Sequence, residues 1–246
     1  MQVGRRLNDP RSVGLGLGLL TWICVASASY AEALEYSDQS LAAAVTPADR
    51  YSALAGRGTA LVLLRRTEEG TMLLTEHRRD CVALGALQYL TSTDAALNFC
   101  KILRGNIMEG IRGIEDAILK QENDGYRAAA DLYRLNLAEV YLQIIGRNER
   151  PPLSLLLKNL PIILTVMVTG FSRICALTTR VSENPHFHPE GHHAGRTQMI
   201  LGLLYKLKRK RAPALEHLTE ARRILSQFGQ TPMLTRIEVA LTELGQ

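Results

Sequence analysis

Apolar residues recur every three or four positions along most of the chain, a pattern that is typical of amphipathic α-helices. The clearest case runs from about His192 to Phe228, where two such segments flank a short polar run. Sustained alternation of apolar and polar residues between turn residues, which would indicate strands, is missing from the sequence. The pattern therefore predicts an all-α protein built from helical hairpins.

The segment 192–228 fits the anchor positions of a tetratricopeptide-like repeat. Small residues at Gly202 and Ala214 would let the two helices of this hairpin approach closely, while Tyr205 and Leu218 fill the space around the contact. The six assigned packing positions are Leu201, Gly202, Tyr205, Ala214, Leu218 and Ala221.

Weaker copies of this register occur upstream. Gly70 and Gly110 are 40 residues apart, slightly more than the 34 residues of a strict tetratricopeptide repeat. The anchors are Gly58, Leu61, Gly70 and Leu74 in one copy, Gly110, Ile114 and Ala117 in the next, and Ala138 and Tyr141 in a third.

These copies predict a single helical-repeat domain over residues 1–246, an α-solenoid of stacked hairpins. The expected hairpins cover about 10–46, 48–82, 92–122, 126–182 and 192–228, and a final helix covers 231–244. The hairpin at 126–182 is expected to be irregular, with an inserted kink. Prolines at 151, 152 and 161 bracket its long apolar stretch, and prolines at 185 and 189 close it.

Two apolar segments raise the question of a membrane. Val13 to Ser29 follows a basic start, Arg5, Arg6 and Arg11, and ends in small residues, as in a signal peptide. The favoured alternative is a buried amphipathic helix that opens at Pro10. Leu160 to Phe171 has only 12 residues before Arg173, whereas a spanning helix needs about 20. We expect this second segment to be a helix buried on most sides.

Composition and charge narrow the function classes. The chain is 46% hydrophobic and 22% charged, which excludes a disordered or collagen-like protein. Its 29 Lys and Arg against 24 Asp and Glu leave a formal charge of +5, spread along the chain except at residues 206–211. That basic run could contact phosphate or an anionic lipid surface, but we interpret it as a solvated turn. The cysteines are Cys24, Cys81, Cys100 and Cys175, expected to be reduced and buried.

Candidate chemistry is sparse. No phosphate-binding loop, zinc-protease motif or hydrolase elbow is present in the sequence. Four of the six histidines fall in NPHFHPEGHHAG, and imidazoles at this spacing could bind zinc. Two prolines and a glycine mark this segment as a loop, so turn-forming, capping or packing roles explain the histidines equally well. The candidate metal ligands are His186, His188, His192 and His193. Otherwise we predict no catalytic residue, metal or cofactor.

Several blocks resemble the C-terminal tetratricopeptide-like region of large rhizobial adenylate and guanylate cyclase proteins, which also carry an ATPase module. The resemblance spans about Asp9 to Gly245. The matching blocks are YAEALEYSDQSLAAAVTPADR, ALVLLRRTEEG, LLKNLPIILTVM, ENPHFHPEGHHAGRTQMILGLLYKLKRKRA and LEHLTEARRILSQFGQTP. The family's cyclase domain is an α/β fold with metal-binding aspartates on strands, and none of its catalytic residues can be carried over to this chain.

The resemblance implies a non-catalytic repeat module that binds a protein or another domain of a signalling enzyme, and we expect it in the cytoplasm. The localised charge and the short apolar segments separately predict no specific nucleic-acid partner and no membrane span. It also implies that Met1 is an internal start and that the chain is a truncated C-terminal portion. Two alternatives remain: an exported helical-repeat binding protein with a cleaved signal peptide, and a metal-dependent activity at the histidine loop.

Overall fold

The computed structural model describes residue 6 and residues 9–146, 153–229 and 231–245. Over this part of the chain it has eleven α-helices and no strand, and it is 84% helical. The predicted all-α class is confirmed. The finer prediction, a tetratricopeptide-like α-solenoid, stays a prediction. Arg5, Pro151 and Pro152, on which sequence arguments depended, lie outside the described residues.

The helices follow one another through mostly short connections. In chain order they are α1 (Pro10–Ala26), α2 (Tyr30–Ala42), α3 (Pro47–Leu63), α4 (Thr67–Ala83), α5 (Leu90–Leu103), α6 (Ile107–Asn123), α7 (Arg127–Ile145), α8 (Leu153–Ser182), α9 (His192–Leu207), α10 (Arg211–Leu225) and α11 (Pro232–Glu243). Single 3-10 turns at Leu87–Tyr89 and Ser226–Phe228 precede α5 and follow α10.

The chain packs as two compact units, Met1–Ala117 and Ile118–Gln246. In the first unit, α1 to α4 each pack on the next helix in sequence, and α3 also contacts α1 and α5. In the second unit α9 is central, because it contacts α7, α8, α10 and α11. Leu61 and Leu74 are fully buried in the first unit, as are Leu204 and Leu218 in the second. The expected single domain over 1–246 stays a prediction.

Six helix ends in the described chain share one turn geometry. In each, a residue with positive φ follows the helix, and the next N–H donates to the carbonyl five residues back. This Schellman motif satisfies carbonyls that the helix itself leaves unpaired. Glycine adopts positive φ without steric cost, whereas any other residue accepts a cost of about 1 kcal/mol. The six residues are Ala28, Arg65, Gly85, Gly105, Gly125 and Arg209.

Hairpin α3–α4 of the first unit and hairpin α9–α10 of the second have the same register. A β-carbon on Gly58 would lie 2.5 Å from Leu74 Cδ2, and one on Gly202 would lie 2.6 Å from Leu218 Cγ. In both hairpins the leucine follows the glycine by 16 residues, 58 to 74 and 202 to 218. The left-handed arginine follows the glycine by seven, 58 to 65 and 202 to 209. One small-to-large helix contact therefore recurs in both units.

The other predicted packing residues lie on the helix interfaces to different degrees. Ala214 and Ala221 are fully buried and Ala117 is nearly so. Gly110 lies against Ile102 and the Asn98 carbonyl of α5. Leu201 and Tyr205 are half-buried. The Tyr205 ring stacks on the His217 ring with centroids 5.3 Å apart and also meets the edge of Phe171.

Helix α1 forms from the segment that also resembles a signal peptide. Asp9 caps it by accepting from the Arg11 backbone N–H, and Pro10 occupies its first turn. Its buried face packs on α2, where the Ser40 hydroxyl donates to the Gly14 carbonyl at 2.8 Å. The opposite face exposes Leu15, Leu19 and Ile23, one helical turn apart. A helix that opens at Pro10 is present. With Leu15, Leu19 and Ile23 exposed, it is not the buried helix that was expected. The choice between a helix of the folded domain and a signal peptide stays a prediction.

Helix α8 is longer and more exposed than the sequence suggested. It runs for 30 residues and is continuous across Pro161. Among the described residues, Leu157–Ser182 is the one stretch long and apolar enough to cross a membrane by length and composition, and only 17% of its most apolar window is buried. The prediction of a helix buried on most sides is wrong. Among the described residues, the covered part of α8 is the stripe that includes Val166, Gly170 and Ile174, and the main packing partners of α8 are α7 and α9.

Candidate functional site

A charged cleft lies in the second unit, between the end of α6, the first turns of α7 and the end of α8. Its volume is about 260 Å³, below the roughly 300–1,000 Å³ typical of small-molecule sites. The cleft is therefore of a size for one or two side chains. Its charged lining consists of Arg127, Arg134, Arg180, Glu122, Asp131 and Glu183.

A buried ion pair forms the floor of the cleft. Arg134 Nη1 lies 2.8 Å from Asp131 Oδ1, and the two residues are only 7% and 3% exposed. Arg134 also pairs with Glu122, and the Asn184 side-chain amide donates to the second Asp131 oxygen. Because buried charges are tolerated only when they are paired and hydrogen-bonded, these contacts hold the floor in one arrangement.

Two arginines at the rim are the groups open to a ligand. Arg127 is exposed and forms no ion pair among the described residues. Arg180 is also exposed, and its Nη1 lies 3.8 Å from Glu183, a long contact between two solvated side chains. The guanidinium groups of both could donate to a carboxylate or phosphate that enters the cleft.

Sequence reasoning did not find this cleft. Asp131 and Arg134 stand three residues apart on α7, a spacing that brings helical side chains together and could have been noticed. Asn184 follows α8 and is 53 residues from Asp131, so no local spacing connects it to the pair. Gly125, whose φ of 82° turns the chain from α6 into α7, sets the position of Arg127.

The histidines singled out by the sequence do not converge. His186 and His188 are exposed in the loop after α8, and His188 Nδ1 accepts from the Glu190 backbone N–H at 3.1 Å. His192 and His193 are half-buried at the start of α9. In the described part of the chain, no three His, Cys, Asp or Glu side chains are grouped to hold a metal ion.

His192 is the most unusual of these four residues. Neither of its ring nitrogens has a hydrogen-bond partner among the described residues, and its ring meets the edge of Phe228 at 5.6 Å. Burial, followed by the charges of Arg196 and His193, lowers the pKa of His192 to about 4. The ring is therefore neutral at pH 7 and packs as an apolar group at the start of α9.

A cysteine–histidine pair lies in the first unit. His77 Nε2 is 3.4 Å from Cys81 Sγ, and His77 Nδ1 is 3.0 Å from Thr93 Oγ1. Burial raises the pKa of Cys81 and lowers that of His77, so neither group is charged at neutral pH. Nucleophilic catalysis needs an accessible thiolate, whereas these two residues are 0% and 2% exposed. The arrangement is that of a packed core.

The cysteines are packing residues like Cys81, and none has the properties of a reactive thiolate. All four are free thiols. Burial raises the pKa of each thiol above its ordinary value. Cys24, Cys81 and Cys100 are buried, as expected, whereas Cys175 is only half-buried because it lies at the edge of the covered stripe of α8.

An acidic residue near the centre of the second unit joins three of its helices. Glu139 of α7 lies 2.8 Å from Arg196 Nε of α9 and 3.3 Å from Arg236 Nη1 of α11. Burial alone would raise the pKa of Glu139, but the two arginines outweigh it and hold that pKa below its usual range. Arg196 also donates to Asn136 Oδ1. This network stabilises the helix arrangement and is not open to a ligand.

Comparisons of the sequence with protein families and with curated proteins found no match. The expected similarity to the C-terminal region of cyclase proteins therefore stays a prediction.

Proposed function

We propose that the chain is a non-catalytic, tetratricopeptide-like repeat module that binds a protein partner. The cleft of the second unit receives an acidic side chain or the terminal carboxylate of that partner. If the resemblance to cyclase proteins holds, the partner is another domain of a signalling enzyme, and this chain regulates it. The proposal makes the chain a binding protein and assigns it no chemical step.

The observation that carries the proposal is that the charges at the floor of the cleft are paired, whereas those of the rim arginines are not tightly paired. The floor is already neutralised, because Arg134 is held by Asp131 and Glu122. The rim presents Arg127, which forms no ion pair among the described residues, and Arg180, whose contact with Glu183 is long at 3.8 Å. A carboxylate that enters the cleft would accept charge-assisted hydrogen bonds from these guanidinium groups and leave the paired floor unchanged. The small volume fits a single side chain better than a cofactor.

The repeated hairpin contact supports the same proposal. Helical-hairpin repeats are scaffolds that present a binding surface, and each repeat contributes a few side chains to it. Gly202 against Leu218 and Gly58 against Leu74 are the contacts expected between the two helices of such a repeat. Neither contact places a nucleophile, a base or a metal ligand at a surface.

Fluorescence polarisation with labelled peptides tests the proposal. The probe is a set of dodecapeptides rich in Asp and Glu, each paired with an Asn and Gln counterpart. We expect the acidic peptides to bind preferentially, and Arg127→Gln with Arg180→Gln to weaken that binding about fivefold or more. The control, Arg50→Gln with Arg104→Gln, removes two exposed cations of the first unit and should leave affinity unchanged.

Two results would contradict the proposal. One is equal binding of acidic and neutral peptides, or equal loss in the cleft variant and its control. The other is cyclic nucleotide formation by the purified chain supplied with ATP and Mg²⁺ or Mn²⁺, which would make the chain an enzyme. Circular dichroism of each variant establishes that a loss of binding is not a loss of folding.

A further inference from the structure

Helix α8 presents an apolar face that is largely exposed in the described part of the chain. The buried stripe of α8 contains Val166, Gly170 and Ile174 and faces its neighbours. A second stripe, displaced around the helix, is exposed: Val168 is 83% exposed and Leu164 is 56% exposed. Successive members are one, three or four residues apart, which places them on one helical face. We call this face the α8 ridge. It comprises five exposed residues, Leu157, Leu160, Leu164, Met167 and Val168, and at its end the half-buried Phe171.

The turn between α9 and α10 adjoins the ridge. Lys208 Nζ lies 5.4 Å from the centroid of the Phe171 ring. Tyr205, three residues before Lys208, meets the same ring with centroids 6.0 Å apart. Leu207, between them, is 41% exposed and adds an apolar side chain next to the ridge. The apolar ridge and the turn therefore form one continuous surface of the second unit.

Three of the five cations at this turn form no ion pair among the described residues. Lys206 pairs with Glu243, and Arg211 donates to the Leu244 carbonyl. The other three are exposed and form no ion pair among the described residues, and α8 carries no acidic residue along its whole length. We call these three the basic turn: Lys208, Arg209 and Lys210.

We propose that the α8 ridge and the basic turn together dock the second unit on the surface of an anionic lipid bilayer. Apolar side chains of an interfacial helix enter the boundary between headgroups and acyl chains, while adjacent lysines and arginines contact anionic headgroups. An apolar face alone would fit many occupants. The cations of the basic turn beside it favour an occupant that has a negatively charged surface and an apolar interior.

The packing of α8 favours docking on the bilayer rather than crossing it. A β-carbon on Gly170 would lie 2.7 Å from Ile145 Cδ1, so this stripe of α8 is in close contact with α7. Arg173 Nη1 donates to the Tyr141 hydroxyl at 2.9 Å and also lies over its ring. Crossing the membrane would strip α8 from α7 and place Arg173 and Arg180 at a hydrophobic depth, at a high cost. Docking leaves both contacts intact.

Vesicle flotation of the full chain tests the proposal. The probes are vesicles of phosphatidylcholine alone and of phosphatidylcholine with about 30% phosphatidylglycerol, a mixture that carries the negative surface charge required. We expect the chain to float with the anionic vesicles at least tenfold more strongly, and 0.5 M salt to reduce this binding because salt screens the cations.

Two variants separate the parts of the surface. Leu164→Gln with Val168→Gln removes apolar area, and Lys208→Ala, Arg209→Ala and Lys210→Ala together remove the basic turn. Each should lower anionic-vesicle binding about tenfold or more, given roughly 1 kcal/mol per surface cation. The first control, Leu84→Gln with Leu87→Gln, changes exposed apolar residues of the first unit. The second, Arg50→Ala, Arg65→Ala and Arg104→Ala, removes the same net charge elsewhere.

Retained binding in both controls, with loss in both docking variants and unchanged thermal melting, would support the proposal. Failure of the folded wild-type chain to float with anionic vesicles would overturn it, as would equal losses in the matched controls. Analytical ultracentrifugation tests the other possible occupant of the ridge, a second copy of the chain. A dimer that Leu164→Gln with Val168→Gln converts to monomer, without vesicle binding, would assign the ridge to a second copy of the chain instead.

Discussion

Gly202 of α9 lies so close to Leu218 of α10 that a β-carbon on the glycine would come within 2.6 Å of the leucine Cγ. The Leu218 backbone nitrogen would be 3.0 Å away, so moving the leucine side chain alone would not make full room. Leu218 is fully buried. The separation of α9 and α10 is therefore set by the absence of one methyl group.

Adding that methyl group should destabilise the second unit. We expect Gly202→Ala to lower the free energy of unfolding by about 1–3 kcal/mol through overpacking, despite the better helix propensity of alanine. In a Leu218→Ala background the same change should cost less, because the cavity relieves the contact. Urea unfolding of the four proteins in this cycle measures the coupling. Additive effects would show that the leucine side chain is not what excludes the methyl group.

A glycine at the α3–α4 turn should stabilise the chain. Arg65 has a φ of 66°, a conformation that costs a non-glycine residue about 1–2 kcal/mol, whereas glycine costs about 0.5–1 kcal/mol in chain entropy. Arg65→Gly should therefore raise the free energy of unfolding by about 0.5 kcal/mol. Arg104, which ends α5 with a φ of −85°, provides the control. Thermal denaturation should show Arg104→Gly to be destabilising, and a gain there would contradict this explanation.

His192 should make the stability of the second unit depend on pH. Its pKa is about 4 in the folded chain, chiefly through burial, and about 6.5 when unfolded. Above pH 6.5 both states are neutral and the stability is complete. As pH falls from 6.5 to 4 only the unfolded state gains a proton, so the free energy of unfolding drops by about 2–3 kcal/mol.

Replacing the imidazole tests this contribution. His192→Phe keeps a ring against Phe228 and has no titrating group, so its stability should decline less between pH 6.5 and 4 than that of the wild type. Urea unfolding at pH 7.5, 5.5 and 4.5 provides the comparison. His193, His77 and His217 also have lowered pKa values through burial, so part of the decline remains in the variant. Identical pH dependence in the two proteins would exclude His192 as a source.

Neutralising Glu139 should cost more than neutralising an exposed carboxylate. Glu139→Gln leaves Arg196, 6% exposed at its side chain, without a counter-charge, and breaking a buried pair in this way costs about 3 kcal/mol. Glu238 pairs with Arg222 at 3.6 Å on the surface, and Glu238→Gln should change stability by less than about 0.5 kcal/mol. Denaturant unfolding of both variants decides the matter. Equal losses of unfolding free energy in the two variants would mean that the buried ion pairs of Glu139 contribute no more than a surface pair.

Much of the fold could be predicted because its signals are local. The helix periodicity and the 16-residue separation of Gly202 from Leu218 are readable within one hairpin. Helix α8 was misjudged because an apolar segment was assumed to be buried. Apolar residues also lie at protein surfaces, and periodicity places Val166 and Val168 on different faces without saying which face another helix covers.

The candidate cleft was beyond sequence reasoning for a related reason. Arg127 and Arg134 are seven residues apart on α7, but Arg180 comes from the end of α8, and only the packed hairpin brings it near them. The histidines attracted attention because they are adjacent in sequence. In the fold, His186 and His188 are exposed to solvent and His192 packs on Phe228. Residues close in sequence therefore do not converge to form a metal site here.

The shared register of the two hairpins makes them interchangeable segments in principle. The glycine, the left-handed arginine and the facing leucine stand at identical intervals in both. A chimera in which one hairpin is transplanted for the other would keep its own closely packed helix pair and its own turn. The geometry of each hairpin is thus set by contacts within the hairpin. Its choice of neighbouring helices must come from the residues on its outer faces.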